Sequence, residues 1–316
     1  MSFSGASSSF CPEPPSPLPL SPAASTTVGV LVILFSILGQ LELFALLSRR
    51  GWVPTVLSRK LTHIGSGVVM TTALALFPPR YWPARLAVSL FLVGFMLSFA
   101  ALAYLPEDQF ERMPPFVRQR IDGLVRSICR SGDRAELMRG TFYYAFAVAT
   151  FVLLFWTAPI NVVIFASLFV GDGVADPIGR ILTGWALARS RGAAGAAAGG
   201  EGTPSKEEKP KALAPWQYQF FYFGVKSVPG SVAFFVSALG AAAGWAALFH
   251  GAGHYPPDFT MPAFLAAAAA CVGAATLAEA ISPPHVDNLL VTYAAAATAF
   301  CLNESGIAPF LMQTCA

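Results

Sequence analysis

Leu168-Phe169-Val170-Gly171-Asp172-Gly173-Val174-Ala175-Asp176-Pro177-Ile178-Gly179-Arg180 closes a long apolar run and sets two carboxylates, three glycines and an arginine where that run stops. Acids are rare in membrane helices, because an unpaired carboxylate at the bilayer centre costs about 2.5–3.5 kcal/mol on insertion scales. Asp172 and Asp176 are therefore the first functional candidates. The stretch reads as a metal–phosphate site at a membrane surface.

The rest of the chain supports a membrane setting. Of its 316 residues, 55% are hydrophobic and only 12% charged, which indicates an all-α, polytopic transmembrane bundle rather than a water-soluble core. Apolar runs near 28–47, 61–77, 86–105, 141–157, 161–170, 230–249, 261–281 and 289–302 predict about eight spans of ~30 Å of hydrocarbon. The formal charge of +3 is too small to imply a nucleic-acid partner. Cys11, Cys129, Cys271, Cys301 and Cys315 form no close pair, so zinc and thiol-redox motifs are not indicated.

Residues 1–27 are rich in Ser and Pro and hold no Lys or Arg. They are expected to be disordered ahead of a membrane domain over 28–316. Without arginine they match a transit peptide poorly. The Ala/Gly-rich insert 189–215 reads as a solvated linker. Residues 116–129 have helical apolar spacing with arginines opposite. That fits either a helix lying on an anionic membrane surface or a short helix packed on its own loop. Glu42, near the basic end of the first span, reads as a snorkelling or paired acid.

Threading these spans places nearly all the basic residues on one side. Arg49, Arg50, Arg59, Lys60, Arg112 to Arg139, Arg180 and Lys226 share it, whereas Arg80 and Arg85 fall on the other. The asymmetry makes the basic side the inner one. Asp172, Asp176, Glu279 and the turn His285-Val286-Asp287-Asn288 share that basic face. A composite site there is the economical reading.

Asp172 and Asp176 are spaced i, i+4, which a helix places on one face. Two hard oxygen ligands suit Mg²⁺, which takes one or two carboxylates plus substrate phosphates. Gly171 and Gly173 leave room for a phosphate chain. Pro177 pushes Asp176 away from helical geometry, so the alternative is a capped helix start at Asp172 or Asp176. Lys226-Ser227-Val228-Pro229-Gly230-Ser231 puts a lysine, hydroxyls and a glycine before a span. That suits phosphate binding, or only anchors the span at the interface. Lys60 carries the same two readings. His63, one turn inside its span, reads as a hydrogen-bonding partner. Glu279 and Asp287-Asn288 could hold metal, nucleotide or an acceptor hydroxyl, and Asp287 could equally be a helix cap. His250 and His254 have metal-pair spacing but lie on the other side.

Arg59-Lys60-Leu61-Thr62-His63-Ile64, Arg139-Gly140-Thr141-Phe142-Tyr143-Tyr144, the Gly171–Arg180 stretch, Lys226–Ser231 and Asp287-Asn288-Leu289 together resemble the phytol kinase family. That family is grouped with dolichol kinases and CTP-dependent diacylglycerol kinases. The resemblance runs from Arg59 to Val291. It departs at Pro177, where an aliphatic residue is usual, at the long insert, and at Val286, where relatives often carry Asp. It implies a lipid kinase that moves the γ-phosphoryl of CTP to a long-chain isoprenoid alcohol such as phytol, within membrane lipids. Asp172 and Asp176 would hold Mg²⁺. Lys60, Arg139, Arg180, Lys226, Ser227 and Asn288 would hold the nucleotide, with Gly171, Gly173 and Gly230 allowing close approach. Asp172, Asp176, Lys226 and Asp287 are the catalytic candidates, and Arg59, His63 and Glu279 the supporting ones. The resemblance favours a plastid membrane, with the endoplasmic reticulum as alternative. Other readings are a dolichol, farnesol or diacylglycerol kinase, a CDP-lipid cytidylyltransferase, and a secondary transporter.

Overall fold

A computed structural model describes residues 20–79, 81–129, 133–138, 140–197, 216–219, 225–283 and 286–312. Its helices are α1 (Pro22–Arg49), α2 (Thr55–Leu74), α3 (Trp82–Ala103), α4 (Glu107–Glu111), α5 (Pro115–Ile128), α6 (Gly140–Phe155), α7 (Pro159–Phe165), α8 (Asp172–Ala197), α9 (Val228–Gly251), α10 (Met261–Ile281) and α11 (Asp287–Glu304). The only strands among the described residues are β1 (Gln217–Tyr218) and β2 (Lys226–Ser227), paired antiparallel. The all-α reading therefore holds.

Local sequence sets the helix ends. Proline occupies the first turn of α1, α3, α5, α7, α9 and α10, where its missing N–H costs nothing. The chain leaves α1, α9 and α11 through Gly51, Gly253 and Gly306, whose φ angles of 71°, 77° and 72° are the left-handed geometry that glycine tolerates. α1 starts at Pro22, capped by the Ser21 hydroxyl, so the last residues of the segment expected to be disordered are helical. Residues 1–19 lie outside the described set. Likewise α8 continues into the expected linker as far as Ala197, and residues 198–215 are not among those described.

Among the described residues, six helical stretches are long and apolar enough to cross a bilayer: Pro22–Arg49, Trp82–Ala103, Arg134–Phe155, Pro159–Gly184, Val228–Gly251 and Met261–Ile281. α2 and α11, expected as spans, are not in this set. α2 carries Arg59, Lys60 and His63, and α11 opens on Asp287 and Asn288.

The fourth stretch, Pro159–Gly184, corrects the opening expectation. The apolar run does not stop at Gly171. α7 passes into a π-helical turn, Ala166–Gly171, and straight on into α8, with Pro177 inside the helix. Asp172 thus lies near the middle of Pro159–Gly184, and neither acid caps a new helix after a break. Every residue of α7 is buried. α7 and the π turn run through the centre of the bundle, touching α2, α9, α10 and α11. Phe165, Phe169, Phe234, Phe249 and Phe264 fill the space around them.

The apolar residues Ile121, Leu124, Val125 and Ile128 of α5 pack with Phe99 of α3 and Leu137, while Phe116 at its start is 71% exposed. Glu42 pairs with Arg120 of α5 and, at 3.5 Å, with Arg49, which ties α1 to α5.

Candidate active site

α2 enters the bundle beside the π turn and delivers two polar side chains to α8. The Lys60 ammonium lies 3.3 Å from Asp172 Oδ2 and donates to the Asp172 carbonyl at 3.3 Å. His63 Nε2 donates to the Leu168 carbonyl at 2.9 Å and stands 3.6 Å from Asp172 Oδ2. A π turn leaves one carbonyl without its usual helical partner, and His63 supplies a donor there. The Lys60 and Asp172 side chains are each only 14% exposed. Removing either partner alone would leave a charge buried.

Asp172 forms the polar end of a long cavity with Arg59, Lys60, His63, Asp287 and Asn288. The body of that cavity is apolar and is walled by α1, α2, α3 and α6. Asp287 opens α11, and its Oδ1 accepts from the Asn288 N–H at 3.0 Å.

A second, polar cavity of about 310 Å³ lies along the next turns of α8. It is lined by Asp176, Arg180, Lys226, Ser227, Gly230 and Glu279, among others. Lys226 sits on β2 and pairs with Glu279 of α10, which is 5% exposed. Burial works against the Lys226 charge. The carboxylates of Glu279, Asp287 and Asp172 outweigh it and raise the pKa above the ordinary lysine value, so Lys226 stays cationic through the neutral range. Ser227 caps α9 by accepting from the Gly230 N–H at 3.2 Å. Its neighbour Ser231 exchanges a 2.6 Å hydrogen bond with the Tyr218 hydroxyl.

The expected residues are therefore split over two chambers. The Asp172–Asp176 pair is not brought onto one ion: Asp172 faces the apolar cavity with Lys60, while Asp176 faces the polar one with Arg180 at 2.7 Å. Among the described residues no three His, Cys, Asp or Glu side chains form a metal cluster. The residues do fit an ion that takes a single carboxylate and is otherwise held by phosphates, as Mg²⁺ commonly is. Gly171 and Gly173 line neither cavity. A Cβ on Gly171 would meet Phe234 of α9 at 3.0 Å, and one on Gly173 would meet Ile64 of α2 at 2.3 Å. Both serve helix packing rather than phosphate approach. Gly230 does line the polar cavity, where a Cβ would meet the Ala175 carbonyl at 3.0 Å. Arg139 and His285 lie outside the described residues.

His254 is no metal ligand. It is fully buried, and its Nε2 donates to the Ala75 carbonyl at 3.2 Å. The His250 ring lies tilted against that of Phe259, at 5.3 Å between centroids. The sequence reading missed Tyr144, whose ring lies 4.8 Å from that of His63, and Ser66 and Met70, which continue the cavity-facing stripe of α2. The signal was present in the i, i+3, i+7 spacing of His63, Ser66 and Met70.

Comparison with known proteins gives a consistent group. The chain is 34% identical over 163 residues to a protein named probable phytol kinase 2, chloroplastic, of Oryza sativa subsp. japonica, covering 51% of this chain and 47% of that one. It is 33% identical over 158 residues to probable phytol kinase 1, chloroplastic, of Glycine max, covering 50% and 47%. It is 30% identical over 152 residues to farnesol kinase, chloroplastic, of Arabidopsis thaliana, covering 47% and 44%. The chain thus spans about half the length of the curated relatives it matches. No family model matches it, and no solved structure does.

Proposed function

We propose, from the premise that this chain is over half its length a relative of the phytol kinase family, that it is a prenol kinase of a plastid membrane. The observation that supports this reading most is the apolar cavity with one charged end. A long-chain alcohol has the same form, with an apolar tail and a single reacting hydroxyl. Its tail would lie among α1, α2, α3 and α6, and its hydroxyl would meet Asp172, Asp287 and Asn288.

The polar cavity would take the nucleotide phosphates, with CTP as donor. Lys226 and Arg180 would neutralise them, and the positive end of the α9 helix dipole favours anions. Mg²⁺ arriving with the nucleotide would take Asp176, whose exposed pair with Arg180 is weak, and would screen the phosphate charge. The acceptor oxygen attacks the γ-phosphorus, the bond to the β–γ bridging oxygen breaks, and CDP leaves. Asp287 is the best-placed base for the hydroxyl proton, because Lys60 already holds Asp172. Most of the rate comes from positioning and charge stabilisation, and Lys60 and Lys226 flank the transfer from the two chambers.

The test is transfer of label from γ-labelled CTP to phytol, farnesol, dolichol or diacylglycerol by purified protein in detergent, with ATP as comparator. Label on a prenol, lost by at least about 100-fold in Asp172→Asn, is the expected result. Label that enters lipid only from the α-phosphate would make the protein a cytidylyltransferase. No transfer and no nucleotide binding would remove the kinase reading.

A further inference from the structure

The apolar cavity has a floor. Its lining runs down α2 from Lys60 through His63 and Ser66 to Met70, a depth of ~15 Å at the helical rise. The deepest lining residues of the other walls are Leu34 of α1, Phe91 of α3 and Val148 of α6. α1 and α3 run towards the charged end and α2 and α6 away from it, so these residues share one level with Met70. Met70 and Val148 are each 3% exposed. One turn further on, Leu74, Val88 and Val152 are packed solid, at 1%, 0% and 0% exposure.

The side wall is less complete. α1 is fastened at its two ends. Gly29 lets the Phe77 ring come within 2.5 Å of where its Cβ would be, and the Ser58 hydroxyl donates to the Phe44 carbonyl at 3.0 Å. Between these fastenings Leu38 lines the cavity and is nonetheless 46% exposed. The wall that α1 contributes is therefore open about midway down.

From this geometry we propose that the floor formed by Leu34, Met70, Phe91 and Val148 measures the acceptor's tail. A tail of about farnesyl length lies straight within the cavity, and a longer one bends out past Leu38 into the lipid. The inference rests on the prenol kinase reading for its ligand class. Met70 and Val148 are specificity residues here. They stand a full cavity length from the charged end and take no part in the chemistry.

The experiment compares kcat/KM for geraniol, farnesol and phytol in mixed micelles. Met70→Ala deepens the cavity and should raise the phytol-to-farnesol ratio by about tenfold, the scale on which apolar pockets discriminate chain size. Val148→Phe raises the floor and should depress farnesol while sparing geraniol and phytol, whose turnover also shows that the variant is folded. Equal effects on all three alcohols, or none, would overturn the proposal. A second measurement separates this from a failure of the kinase reading. Wild-type protein is labelled with a farnesol analogue carrying a photoreactive diazirine at its far end. Adducts at Met70, Phe91 or Val148 that farnesol competes away would uphold the measured cavity even if no alcohol were phosphorylated. Adducts confined to lipid-facing residues would refute it.

Discussion

Asp172 keeps its charge inside a helix because α2 carries a lysine and a histidine to it. Both lie on one face of α2, three residues apart, and that face meets α8 where the π turn exposes the Leu168 carbonyl. The buried pair predicts a thermodynamic signature. Lys60→Met should lower stability by about 3 kcal/mol by stranding the carboxylate, and Asp172→Asn should do the same by stranding the ammonium. The double variant should regain much of the loss, measured as a double-mutant cycle of thermal unfolding in detergent. Strictly additive losses would show that the two charges are solvated separately. Asp172, Lys60 and Lys226 were legible in the sequence because charged residues at apolar spans are conspicuous. Their partners were not, since nothing in the chain order announces that Lys226 meets Glu279 or that Asp176 turns away from Asp172.

At the scale of elements, the crossing of α8 and α9 builds the polar cavity. Gly179 and Gly230 face each other there. A Cβ on Gly179 would come within 2.6 Å of Ser227 Oγ and 3.4 Å of Gly230 Cα, and one on Gly230 would press on the Ala175 carbonyl at 3.0 Å. The two backbones must approach for Ser227 and Lys226 to face the cavity. Gly230→Ala should therefore weaken nucleotide binding several-fold while leaving farnesol protection of the apolar cavity intact. Titration with CTP and photolabelling with the farnesol analogue read the two chambers separately. A variant that loses both would show that the crossing supports the whole fold instead. Periodicity placed α8's acids correctly on a helix. The alternative, a break at Pro177, did not occur: α7 and the π turn are buried against α2, α9, α10 and α11, and the helix runs on through the proline.

Across the whole molecule, the alternation of the helices brings far-apart residues to common ends. Lys60, Lys226, Glu279 and Asp287 gather at one end with Asp172. At the opposite end, the Trp245 indole N–H donates to Thr72, His254 to the Ala75 carbonyl, and Arg85 to the Leu153 and Leu154 carbonyls. If this bundle spans a membrane, single cysteines at Arg112 and Asp258, in a background without the native cysteines, should react with an impermeant maleimide from opposite faces of sealed vesicles. Labelling of both from one face would contradict the threading.

Apolar composition, helix-capping prolines and terminal glycines determined by themselves that the chain is a helical bundle, because these are local preferences that each segment carries alone. The polar motifs likewise announced a site at the helix ends. Only the tertiary structure decided that the site is divided in two, with Asp172 in an apolar chamber and Asp176 in a polar one. It also decided that Gly171 and Gly173 serve packing, and that α1 closes a cavity of limited depth. Those features depend on which faces meet at which height, and helix contacts between residues a hundred positions apart leave no local trace.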